Sequence, residues 1–110
     1  MALQHAMSGE LIDVRPLGFN LSNNTTRALY KSDHLELFRM VLAAGKTVPF
    51  HKVAGEITVQ CLEGRIEFKL ESSTQVMRQG DLLCLAGGRM HSITALESSS
   101  ILVTILLHSA

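Results

Sequence analysis

No stretch of this 110-residue chain is rich enough in Gly, Pro or Ser to act as a linker, so a single domain is expected. Charge of one sign is also missing as a cluster: ten Lys and Arg balance ten Asp and Glu. Binding to nucleic acid or to an anionic membrane needs a concentrated basic surface, so both partners are argued against. No segment approaches the ~20 apolar residues of a membrane-spanning helix. The strongest run, "ILVTILLH", is too short, and the opening "MALQHAMSGELIDV" lacks the basic start and apolar core of a signal peptide. There are only two cysteines, Cys61 and Cys84, both inside apolar strand-like segments. Buried free thiols in a reducing cytoplasm are expected, not a disulfide. No paired carboxylates and no Ser-His-Asp spacing mark an acid–base or nucleophilic centre, and the serine run "ESSS" reads as a polar turn.

What is present is apolar and strand-like. Hydrophobic residues make up 46% of the chain against 18% charged. A chain of this length buries roughly 65% of its unfolded surface, enough for a core without staples. "RIEFKLE" alternates, with Ile66, Phe68 and Leu70 on one face and Arg65, Glu67, Lys69 and Glu71 on the other. "ESSTQ" follows as a turn. "HLELFRMVLAAG" is a longer strand, Leu35, Leu37 and Val41 facing one way and Phe38, Met40 and Leu42 the other. Further strands are expected at "ITVQCL", "DLLCLA", "HSITAL" and "SILVTILL", with "ELIDV" and "TRALYK" near the start. No window is a convincing amphipathic helix. Many short strands between turns imply an all-β sandwich or barrel.

"LELFRMVL" and "ILVTILL" carry apolar residues on both faces. One set serves a core, and the other avoids water too. A homodimer built through these strands is expected; an outer sheet or terminal segment covering the same face is the alternative.

"GKTVPFHKVAGEITVQCLEG", residues 45 to 64, resembles the first signature of the cupin superfamily, G-x5-H-x-H-x3,4-E-x6-G. Gly45, His51 and Gly64 match, Val53 stands at the second histidine, and Ile57 stands at the glutamate. "GDLLCLAGGRMHSITA" resembles the second, G-x5-P-x-G-x2-H-x3-N: Gly80, Gly88 and His91 match, with Ala86 for proline and Ala95 for asparagine. The fifteen residues between Gly64 and Gly80 suit the short intermotif type. Over roughly residues 35 to 107 the chain is similar to small single-domain bacterial cupins of the RmlC-like superfamily. The resemblance implies a double-stranded β-helix, a jelly-roll barrel of six to eight strands with a ligand pocket at one mouth, and a dimer. Residues 1–34 are then expected as N-terminal strands and an arm packing on a barrel formed by 35–110.

The family's usual site is three histidines and a glutamate, of which His51 and His91 are kept. Imidazole and carboxylate ligands suit Fe, Mn, Ni, Zn or Cu, so one divalent transition metal is an expected cofactor and none is the alternative. Glu56 lies one residue from the glutamate position, and an offset of one turns a strand residue to the opposite face. A β-bulge near residues 53 to 56, which Ala54-Gly55 would accommodate, brings it back; otherwise it is solvated. Gln60 shares its parity and suits an interface. Ile57, Val59, Phe68 and Met90 are expected to line the ligand pocket, with Ile66 and Leu85 beside them; Tyr30 is a further candidate. His5, His34 and His108 match no motif position and are expected at the surface or terminus. Three functions compete: binding of a small molecule, with or without a divalent metal; a metal-dependent dioxygenase or isomerase; and a vestigial, non-catalytic dimeric barrel.

Overall fold

A computed structural model describes residues 5–107. After a 3-10 turn at Gly18–Asn23, nine strands follow: β1 Arg27–Lys31, β2 Leu35–Leu42, β3 Thr47–His51, β4 Ile57–Glu63, β5 Arg65–Leu70, β6 Thr74–Arg78, β7 Leu82–Leu85, β8 His91–Ala95 and β9 Ser99–Leu106. They form a five-stranded sheet in the order β1-β2-β9-β4-β7 and a four-stranded sheet in the order β3-β8-β5-β6, all neighbours antiparallel. The fold is an all-β jelly roll, one strand richer than the upper expectation. Two segments depart from it locally. "ELIDV" is not a strand but an extended arm; Leu11 is fully exposed, so its alternation buries little. Thr74 and Gln75 belong to β6, paired with Lys69 and Phe68, so the turn is confined to the residues just before them. No helix among the described residues is long and apolar enough to cross a membrane.

Alternation builds the core. Ile57, Val59 and Cys61 of β4 meet Ile101 and Val103 of β9 and Ile66 and Phe68 of β5, all buried. Phe38, Met40 and Leu42 pack onto this cluster from β2. Gly64 joins β4 to β5 at φ 85°, and a Cβ there would strike the Ser99 hydroxyl and the Ser98 carbonyl. Only glycine meets both demands. Cys61 is a buried free thiol, and burial raises its pKa above 9.0. Cys84 is exposed, contrary to the expectation of two buried thiols. It pairs with Thr58 on the edge strand β7, whose partly exposed pattern turns Leu82 and Cys84 outward.

The outer side of the five-stranded sheet is part-covered by the arm. Cys61 pairs with Ile101 but Glu63 pairs with Ser100, so β4 carries one extra residue at its end. That bulge turns Glu63 outward, onto the side of Arg39. The two form a buried ion pair at 3.1 Å. The Glu63 carboxylate also accepts from the Leu17 and Gly18 amides and the Ser100 hydroxyl, while Arg39 Nη2 donates to the Arg15 carbonyl at 2.6 Å. Burial works to raise the Glu63 pKa, but the bonds from Leu17, Ser100 and Gly18 together with the Arg39 charge hold it below 4.5.

Candidate functional site at the barrel mouth

His51 ends β3 and His91 begins β8, and the two are Cα partners across that strand pair. Val48 pairs with Ile93 just below them. A regular ladder from that point would set Phe50 opposite His91. The register slips by one residue between Val48 and His51, so His51 takes the place instead and Phe50 turns outward, 45% exposed. Pro49 sits in this bulge and offers no N–H to the ladder. A bulge does shape the site, at residues 48–51 and not at 53–56.

The rings stand close, with centroids 4.4 Å apart and planes inclined by 55°. His91 is 3% exposed and stacks on Phe68 at 5.5 Å, nearly parallel; His51 is exposed. Gly88, at φ 78°, makes the turn that leads the chain into His91. His51 Nδ1 lies 2.9 Å from the Pro49 carbonyl and His91 Nδ1 lies 3.0 Å from the Arg89 carbonyl. A carbonyl oxygen only accepts, so each Nδ1 carries a proton, and in the neutral ring Nε2 is then the atom with the lone pair. Burial lowers the His91 pKa from 6.5, opposed by the bond to the Arg89 carbonyl and reinforced by the neighbouring His51. His91 is therefore a neutral acceptor at physiological pH.

The remaining expected residues divide. Ile57, Val59 and Phe68 are almost wholly buried in the packed core, so only Phe68 reaches the site, as the platform under His91. Met90 is half-buried beside His91. Leu70 is the Cα partner of His91 on β5 and closes the other flank. Glu56 is exposed and falls in a cleft with His34, Gly55, Gly87 and Leu106, in which neither His51 nor His91 takes part. A Cβ at Gly55 would strike the Leu106 carbonyl and one at Gly87 the Ala54 carbonyl, so this loop is tightly seated. His5 and His34 are exposed as expected, and His108 lies outside the described residues.

The donor set does not fit a resident transition metal of the three-histidine, one-glutamate kind. Val53 packs against the core and Ile57 is 3% exposed inside it, so apolar contacts fill both vacant ligand positions. Among the described residues no three His, Cys, Asp or Glu side chains gather to hold an ion. One carboxylate escaped the sequence reasoning. Glu36 has the inward parity of Phe38 and Met40, is half-buried, and begins the cross-strand row Glu36–Ile105–Ile57–Leu85. The alternation of β2 contains that signal, because a charged residue stands at a core-facing position.

No protein-family model matches the chain, and no curated protein matches it in sequence. Solved structures do. A cupin superfamily protein from Desulfitobacterium hafniense superposes with TM-score 0.76 at 20% identity, over 89% of this chain and 95% of its own. An RmlC-like cupin from Desulfovibrio desulfuricans gives 0.72 at 23%, over 94% and 98%. The chain has the cupin fold. A conserved protein of unknown function from Streptococcus pyogenes matches over the full length of both chains, with TM-score 0.75 at 18% identity. At these identities the cupin likeness concerns the backbone path alone. What the mouth of this cupin barrel does follows from its own side chains.

Proposed function

We propose that this cupin barrel binds a small organic molecule at its mouth, with His51 and His91 as paired hydrogen-bond acceptors. The observation that carries the proposal is the paired geometry: the rings stand 4.4 Å apart and both Nδ1 atoms are engaged by backbone carbonyls, which in the neutral rings leaves the Nε2 of each as the acceptor. Such a pair suits neighbouring hydroxyl or amine donors on a ligand whose apolar part rests on Leu70 and Met90, as small-molecule sites combine apolar walls with a few placed polar groups. Thermal-shift screening against hydroxylated and amine-bearing small molecules tests it. A stabilising compound that loses its effect in both His51→Ala and His91→Phe supports the proposal. A panel without effect favours the vestigial barrel.

The same lone pairs favour a second reading, a divalent ion held by the two imidazoles with solvent filling its shell. Three protein ligands are usual for a catalytic site, so we assign this ion weak binding and no catalytic step. We further propose a cytoplasmic homodimer. Leu82 (61% exposed) and Leu106 (50% exposed) lie on the same outer side as the half-buried Leu62 and Leu102, with the exposed Cys84 among them. A second copy is the proposed cover, because a chain of zero net charge raises no Coulomb barrier to self-association.

A further inference from the structure

Arg27 and Arg39 are Cα partners in β1 and β2. Like charges set opposite one another destabilise a sheet, so this pair calls for a counter-charge. Part of it is in place. Arg39 Nη2 reaches Glu63, Ser100 and the Arg15 carbonyl. Its Nε, however, has no partner among the described residues, although the side chain is only 6% exposed. Glu63 already accepts from Leu17, Gly18 and Ser100 as well as Arg39. Arg27 makes no ion pair among the described residues, and the nearby Asp13 is engaged by Arg15 at 3.3 Å.

Arg15, Arg27 and Arg39 line one cavity of about 190 Å³, together with Asp13, Asn24 and Thr25. Asp13, on the cavity wall, pairs with Arg15, and Glu63, outside the lining, pairs with Arg39, which leaves the charge of Arg27 without a carboxylate partner among the described residues. Sites for drug-sized ligands run from about 300 Å³ upward, so the volume suits a small ion or the charged head of a metabolite. Planar guanidiniums with amide and hydroxyl donors beside them match the oxygens of phosphate or carboxylate.

We propose that this cavity is a binding site for a small oxyanion, a phosphate or carboxylate group, with Arg27 as its accessible contact and Arg39 as its floor. It lies on the outer side of the five-stranded sheet, whereas the histidine pair belongs to the four-stranded one, so the two sites are separate. Arg15 belongs to the arm and Arg27 to β1, so the bound anion ties the arm to the sheet.

Isothermal titration of the full chain with sodium phosphate and with sodium succinate, at constant ionic strength, tests the site. Saturable one-to-one binding of at least one anion, with a rise in melting temperature, is expected. Arg27→Gln is expected to weaken it about tenfold, the scale of one lost charge-assisted bidentate contact. Arg27 is exposed, so an unchanged unfolding curve without anion shows that the variant folds. Arg78→Gln, an exposed arginine on β6, and His51→Ala at the barrel mouth are expected to bind as the parent chain does. The proposal is overturned by absence of saturation with both anions, by equal weakening in Arg27→Gln and Arg78→Gln, or by loss of binding in His51→Ala.

Discussion

His51 opposes His91 only because β3 holds one residue more than β8 between this pair and Val48–Ile93. The two rings share a site but not an environment, since one is exposed and the other is buried on Phe68. Truncating them should therefore have unequal costs. His91→Ala opens a cavity over Phe68 and is expected to destabilise by about 2–4 kcal/mol, in the range of large-to-small core changes. His51→Ala should stay within about 0.5 kcal/mol. Urea unfolding of the two variants measures the difference, and equal losses would contradict the burial described.

Metal affinity should respond to Val53. With two imidazoles the parent chain is expected to bind Ni(II) or Zn(II) weakly. Val53→His places a third imidazole at the position where the cupin signature has one, and should raise affinity about tenfold or more. Equilibrium dialysis with metal quantified by mass spectrometry reads this directly. A parent chain that is already tight would mean that donors beyond His51 and His91 contribute.

Acid should loosen the arm through Glu63. Its folded pKa lies below its ordinary 4.5, so the unfolded chain binds more protons between the two values. The stability this provides is present above 4.5 and is lost as pH falls through the folded value. Glu63→Gln is expected to flatten that part of the pH–stability curve. At neutral pH the same variant should cost about 3–5 kcal/mol, because Arg39 is left buried without its counter-charge. Chemical unfolding at a series of pH values separates the two effects.

The proposed dimer can be read through one thiol. Cys61 is buried with a raised pKa, so Cys84 is the reporter in the folded chain. Leu82→Glu puts a charge into the proposed interface and is expected to give a monomer by light scattering. Cys84 should then react faster with a thiol reagent than in the parent chain. A parent chain that is monomeric, with Cys84 equally reactive in both, would refute the interface.

Much of the architecture is legible in the sequence because backbone constraints leave spacing behind. Gly45, Gly64, Gly80 and Gly88 sit in register with the two signatures, and all four hold positive φ. β4 and β5 show their alternation openly, since one face is core and the other is not. The histidine pair is legible for the same reason, its spacing being counted from those glycines. What stayed hidden depends on single-residue slips. The bulge at Pro49–Phe50 leaves no mark in hydropathy, and neither does the one that turns Glu63 outward. Arg39 alternates as a surface residue and becomes buried only because the arm lies over it. Glu56 looks like a ligand by type, yet its loop is held away by the close approach of Gly55 to the Leu106 carbonyl.

The irregularity at the end of β4 has a consequence for how such chains diverge. Removing Leu62 would merely straighten the ladder and leave the carboxylate of residue 63 opposite Ser100, whereas one further residue before it, with the slip kept, would set it opposite Ser99 and swing it to the other side of the sheet. That insertion would undo the latch for the amino-terminal tether and force a charge into oily surroundings. Strand length, counted to the single residue, thus governs whether the tether is fastened, and an insertion there should be far less tolerated than a deletion.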